Sequence, residues 1–155
     1  MTESTLQIHQ GGCLCGAVRY EVTGQPLVVT HCHCKECQRG SGAGHSTGAM
    51  FPLEGFRLKG RVEEYKYTSD NGNEVTKTFC PACGSPIFWK NNGMQGYLTV
   101  TLGTIDVSTK FKPQVVVFAR NQNPWDIMDQ NLPTFEDQPN WKPGDDHTSR
   151  KLCCA

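Results

Sequence analysis

The sequence predicts a mainly β domain of packed antiparallel sheets, and three observations carry that expectation. Sixteen glycines and nine prolines are scattered through most of the 155 residues, which favours short strands and many turns over long helices. Short runs of alternating apolar and polar residues recur between turn-forming clusters. Seven of the nine cysteines fall into three close-spaced groups, which is the spacing of metal ligands. A chain of this length can bury its own core. One domain is expected over residues 1–142, followed by a disordered tail over 143–155.

The elements follow in order. Ala17 to Val22 alternates and reads as a strand, and Leu27-Val28-Val29-Thr30 leads into a second strand that ends in a cysteine group. Lys35-Glu36-Cys37-Gln38-Arg39 is free of Gly and Pro until Gly40, so one or two helical turns fit there. Phe56-Arg57-Leu58, Val62 to Tyr67 and Glu74 to Phe79 read as three short strands. The last two are joined by Ser69-Asp70-Asn71-Gly72-Asn73, whose Asn-Gly step signals a hairpin with a loop longer than two residues. Further strands are expected at Pro86–Lys90, Tyr97–Leu102 and Gln114–Arg120. From Asn121 the chain is rich in Asn, Asp, Gln and Pro, an irregular segment expected to be pinned to the core by Trp125, Leu132, Phe135 and Trp141.

Fifteen basic and fifteen acidic side chains cancel, and no block of like charge occurs, so the chain carries no electrostatic footprint for nucleic acid or an anionic bilayer. Met1–Gln10 has no apolar signal region and no run of about 18 apolar residues exists, which points to the cytoplasm. Thiols there are held reduced, so closely paired cysteines indicate zinc rather than a disulfide framework.

The first group is Gly12-Cys13-Leu14-Cys15-Gly16. Residues i and i+2 of an extended chain face the same way, so two thiolates can meet one ion. Its match is Cys80-Pro81-Ala82-Cys83-Gly84, where a tight turn aims both sulfurs inward. Four thiolates close a structural zinc site and tie together stretches separated by the 64 residues between Cys15 and Cys80. The middle group, His31-Cys32-His33-Cys34-Lys35-Glu36-Cys37, offers three cysteines and no fourth. If the four cysteines close the first site, this one keeps an open position, the arrangement of a reactive zinc, where a substrate thiolate or carbonyl oxygen would sit. The alternative is a closed structural site completed by His31, His33 or His45, although strand alternation turns His31 and His33 away from Cys32 and Cys34. Lys35 and Arg39 are candidates to offset the negative charge of three thiolates, or simple surface cations. Cys153 and Cys154 read as exposed tail thiols.

The blocks Gly11 to Tyr20, Cys32 to Cys37 and Phe79 to Pro86 resemble, in order and spacing, the glutathione-dependent formaldehyde-activating enzyme family, which includes the centromere protein V group. Weaker echoes in Gly103-Thr104-Ile105-Asp106, Arg120 and Pro124-Trp125-Asp126 extend the resemblance to about Asn140. It implies an Mss4-like fold of packed antiparallel sheets stapled by zinc. It implies two ions, a structural one on Cys13, Cys15, Cys80 and Cys83 and a catalytic one on Cys32, Cys34 and Cys37. The implied activity is that of a carbon-sulfur lyase acting on an adduct of a thiol, glutathione, with an aldehyde, formaldehyde. His33 or His45 is a candidate proton carrier. Two rival readings are a non-catalytic zinc-stapled interaction module and a thiol-disulfide oxidoreductase using Cys80 and Cys83. The second fits poorly, since that motif belongs near a βαβ pattern.

Overall fold

Alternation in Arg19-Tyr20-Glu21-Val22 buries Tyr20 and Val22 on one face, and that face belongs to the smaller of two sheets in the computed structural model, which describes residues 6–140. Here β1 (Ile8–Gly12) pairs with β2 (Arg19–Thr23), and β2 pairs with β5 (Phe56–Lys59), all antiparallel. The larger sheet contains β3 (Val28–Cys32), β4 (Ser46–Pro52), β6 (Glu63–Thr68), β7 (Glu74–Phe79), β8 (Pro86–Asn91), β9 (Tyr97–Thr101) and β10 (Val115–Val117). Their order is β10-β3-β4-β9-β8-β7-β6, antiparallel throughout except that β10 runs parallel to β3. The fold is therefore mainly β, as the composition indicates. A single α-helix among the described residues, α1 (Lys35–Ser41), follows β3.

Register separates the two faces of the larger sheet. Val29, Ala49, Val100, Phe88 and Thr78 are successive cross-strand partners, so they share one face. The four apolar ones join Val18, Tyr20 and Val22 of the smaller sheet in the main core, buried between the sheets. Burying these side chains contributes about 1.5–3 kcal/mol each for the larger ones. Cys32 opposite Ser46, Gly48 opposite Thr101, and the row Thr99, Trp89, Lys77 and Tyr65 lie on the other face by the same parity. That second face carries the site. At its β10 edge a smaller cluster of Val28, Val115, Val117 and Phe135 seals the irregular C-terminal segment to the sheet, with Phe135 N–H donating to Val116 O at 2.9 Å.

Of the expected pinning residues, Phe135 is 3 % exposed and Leu132 half-buried, but Trp125 is 69 % exposed and pins nothing. Trp141, Cys153, Cys154 and the tail over 143–155 lie outside the described residues. No helix among the described residues is long and apolar enough to cross a membrane.

Candidate metal centres and active site

The turn after β1 and the turn after β7 bring the first group together. The Cys13 thiol accepts the Val18 N–H at 3.2 Å, while Gly16, at φ 82°, reverses the chain and donates to Cys13 O at 3.2 Å. Across from it, Gly84, at φ 78°, donates to Cys80 O at 2.8 Å, and Cys80 N–H donates to Ser85 O at 3.0 Å. Both glycines occupy the left-handed region that a Cβ disfavours, so these positions make the turns tight enough for paired sulfurs. Ser85 locks the halves together, its hydroxyl accepting the Leu14 N–H at 3.0 Å.

The four sulfurs of Cys13, Cys15, Cys80 and Cys83 lie within 4.8 Å of one another, with Cys13 to Cys15 at 3.6 Å and Cys15 to Cys80 at 3.8 Å. Tetrahedral zinc with Zn–S bonds of about 2.3 Å sets its sulfurs about 3.8 Å apart. A disulfide needs about 2.05 Å, and none of the seven described cysteines is so bonded. The donor set therefore fits a closed zinc site. The hydroxyl and N–H of Ser85 hold the Cys83 thiol down to about 5, favouring the thiolate a metal requires.

The middle group is assembled where β3 runs into α1. Cys32 ends the strand; Cys34 is the N-cap of α1, its sulfur accepting the Cys37 N–H at 3.3 Å; Cys37 is buried in the first turn. Gln38 fixes this corner, donating to His33 O at 2.8 Å and to Asn121 O at 2.9 Å. All three sulfurs lie within 4.8 Å, and among the described residues no histidine or carboxylate joins them as a fourth ligand. Hydrogen bonds from the Cys32 and Cys34 thiols hold the Cys37 thiol down to about 3 against its burial, and Cys32 is raised in turn by Cys34 and Cys37. Without a cation the group thus keeps one shared thiolate; a divalent ion is what allows all three to lose their protons. This donor set fits a zinc site with an open position.

Lys35 and Arg39 are both exposed, as the reading of simple surface cations has them. A cation that lowers Cys37 is Lys77, on the site face of β7, whose ammonium packs 5.6 Å from the Trp89 ring centroid and against Gly40 of α1. Thirty-nine residues lie between Cys37 and Lys77, and only the strand register brings them together. Tyr67 also lies within electrostatic reach, its phenol raised by burial first and by Cys37 and Cys34 after that.

The three histidines form their own group behind the cysteines. His31 donates to or accepts from Thr47 Oγ1 at 2.8 Å, and burial together with His45 and His33 lowers it to about 4. His33, with no exposed side-chain surface, has Nδ1 3.1 Å from Gly44 O, so it donates there. His45 Nδ1 sits 2.7 Å from Asp126 Oδ2, and the absence of a Cβ at Gly44 admits that carboxylate. His33, His45 and Asp126 are close enough to be weighed as ligands. Two ligand atoms of a tetrahedral zinc at 2.0–2.1 Å are about 3.3 Å apart. The 2.7 Å contact is therefore a charge-assisted hydrogen bond, and the trio is a hydrogen-bonded network.

A cavity of about 190 Å³ opens on the site face between α1 and strands β6–β9, with Ser46, Lys77, Phe88, Trp89 and Thr101 in its wall. A wider polar basin of about 400 Å³ lies over residues 119–130, on the Asp126 side. The smaller one shares Ser46 with the three-cysteine corner, which makes it the cavity next to the chemistry.

The family model described as glutathione-dependent formaldehyde-activating enzyme matches residues 8–121. Among solved structures, the crystal structure of a Rhodobacter sphaeroides protein, a Northeast Structural Genomics target, is similar with a TM-score of 0.53 at 20 % identity, covering 81 % of this chain and 98 % of that one. At that identity the likeness speaks for the fold alone.

Proposed function

This chain belongs to the glutathione-dependent formaldehyde-activating enzyme family, and from that premise we propose that it is a zinc-dependent carbon-sulfur lyase acting on a thiol/aldehyde adduct. The observation that carries this reading is the unequal donor count: four sulfurs converge at one site and three at the other. Cys13, Cys15, Cys80 and Cys83 would hold a structural zinc, and Cys32, Cys34 and Cys37 a catalytic one. When bound at the three-thiolate site, zinc supplies Lewis acidity toward a carbonyl group and favours the thiolate form of a thiol.

The chain's own residues supply position and proton handling. β3 and the first turn of α1 fix the three sulfurs, and Gln38 holds that corner against the segment at Asn121. In the cleavage direction the adduct's hydroxyl proton passes to a base, the carbonyl π bond forms as the carbon-sulfur bond breaks, and the sulfur leaves with the bonding pair as a thiolate that takes up that proton. His45 is the proton carrier in this reading. Asp126 accepts the Nδ1 proton, which leaves Nε2 as the basic nitrogen. The His45 side chain is 21 % exposed, a route to solvent that the fully buried His33 does not have. Lys77 lies where it offsets the net negative charge of three thiolates on a divalent ion. Seven unlinked thiols at close range suit a reducing cytoplasm.

The test is carbon-13 NMR of labelled formaldehyde with glutathione. Zinc-loaded protein is expected to speed exchange between free aldehyde and adduct above the uncatalysed rate, and Cys34→Ser to abolish that gain while staying folded. Exchange no faster than background with any thiol and aldehyde would leave a zinc-stapled interaction module as the better reading.

A further inference from the structure

We propose that the cavity beside the three-cysteine corner receives the body of the aldehyde, and that this body is an aromatic ring or a flat apolar group of similar size. The inference rests on the thiol/aldehyde chemistry above and narrows its substrate. Formaldehyde has two heavy atoms and needs no cavity. The volume here is about 190 Å³, whereas an apolar cavity of roughly 150 Å³ is enough to admit benzene.

The wall has the composition of an aryl site. Tyr65, Phe79 and Trp89 surround the space, and the site-face parity places Trp89 opposite Lys77 on one side and Thr99 on the other. Gly48 sits beneath the indole, where a Cβ would come within 2.6 Å of Trp89. A larger residue at 48 would push that ring into the cavity. Rings of this kind recognise a flat apolar ligand through offset and edge contacts, worth about 0.5–1.5 kcal/mol beyond the area buried.

Two polar details orient such a ligand toward the sulfurs. Ser46 is 9 % exposed, lines the cavity and turns its hydroxyl to the Cys37 thiol, while the buried hydroxyl of Thr101, on the same face, has no hydrogen-bond partner. Buried hydroxyls without partners are rare in native folds. A carbonyl or hydroxyl oxygen carried at the ring's edge would supply one for Thr101 and lie next to Ser46. The reaction is then addition of a thiol to an aryl or similar aldehyde. The carbon-sulfur bond forms, the carbonyl π bond opens, and the thiol proton ends on the new hydroxyl, with no change of oxidation state overall.

The experiment uses the zinc-loaded full chain with glutathione and carbonyl-labelled benzaldehyde or formaldehyde, read by NMR exchange. The expected result is at least a tenfold larger kcat/KM for the benzaldehyde adduct. That ratio should fall tenfold or more in Trp89→Leu, and in Ser41→Phe, which fills the mouth from the exposed end of α1, with zinc content unchanged in both. Equal turnover of both aldehydes with a ratio untouched by Ser41→Phe would overturn the cavity assignment and leave the lyase reading standing. Should neither aldehyde be turned over, the lyase reading falls. Saturation transfer from protein to benzaldehyde, present in wild type and absent in Ser41→Phe, would then still support the cavity, and its absence in wild type would overturn it.

Discussion

Replacing Cys80 by Ser removes one of four sulfurs that pin the turn after β1 to the turn after β7. The closed loop from Cys15 to Cys80 contains the 64 intervening residues and the two ends. For 66 residues the chain-entropy relation used for cross-links gives about 4.4 kcal/mol at 25 °C. That is a floor, because metal binding by such sites carries on the order of 10 kcal/mol of apparent folding free energy, while whole domains are stable by only about 5–15 kcal/mol. Near the melting midpoint each kcal/mol moves Tm by about 2–4 °C for a chain of this size, so Cys80→Ser should lose at least about 9–18 °C. Cys34→Ser is the internal control. It opens no long loop, and serine is itself a strong N-cap for α1, so the helix start survives. Thermal melts by circular dichroism, with zinc and with chelator, read both. Equal losses in the two variants, or a Cys80→Ser midpoint within about 3 °C of wild type, would refute the division into a structural and a reactive site.

Three further outcomes follow from named contacts. Asp126→Asn no longer accepts the His45 Nδ1 proton as a carboxylate, so kcat for adduct exchange should fall at least tenfold while zinc content stays constant; an unchanged kcat removes His45 from the proton path. Tyr20 is buried, and burial raises its phenol well above 10 despite the 2.7 Å bond to Thr104. The folded state then keeps a proton that the unfolded chain releases above pH 10, so this stability is intact below pH 10 and declines by about 1.4 kcal/mol per pH unit above it. Tyr20→Phe should cost about 1 kcal/mol at neutral pH and flatten that alkaline decline; an equally steep decline in urea titrations places the effect elsewhere. Gly84→Ala forces a Cβ into the left-handed region at φ 78°, which costs about 1–2 kcal/mol and should speed zinc loss to a chelator, with Ala82→Gly as an unstrained comparison.

Strands marked by alternating residue types between turn-forming clusters were legible from sequence; those with another reason to exist were not. β2, β6, β7, β8 and β9 lie where alternation and turn residues put them, and the helix starting at Lys35 extends two residues past the expected turns to Ser41. β4 lacks alternation because, between β3 and β9, it is buried on both faces. β1 is mostly polar and ends in two glycines, and its pairing with β2 and the bridge from Gly11 to Ile105 make it a strand. All seven candidate ligands were visible as spacing, and the expectation that His31 and His33 turn away from the cysteines agrees with their bonds to Thr47 and Gly44. Lys77 and Tyr67 were out of reach because their contacts with the site depend on register and their residue types carry no motif. Asp126 stood in the Pro124-Trp125-Asp126 block, but its bond to His45 depends on a long-range loop approach. The exposure of Trp125 shows the converse: an isolated large apolar residue in a polar segment does not announce which way it faces.

The most direct measurement is X-ray absorption at the zinc edge on protein with two ions per chain. Seven cysteine sulfurs shared by two ions predict a mean of 3.5 sulfurs and half a lighter oxygen neighbour per zinc, rising to four sulfurs in a Cys34→Ala protein that keeps one ion. A mean of four sulfurs in the wild type, or imidazole nitrogen scattering that makes up the missing half, would show the second site closed and contradict a zinc available to substrate.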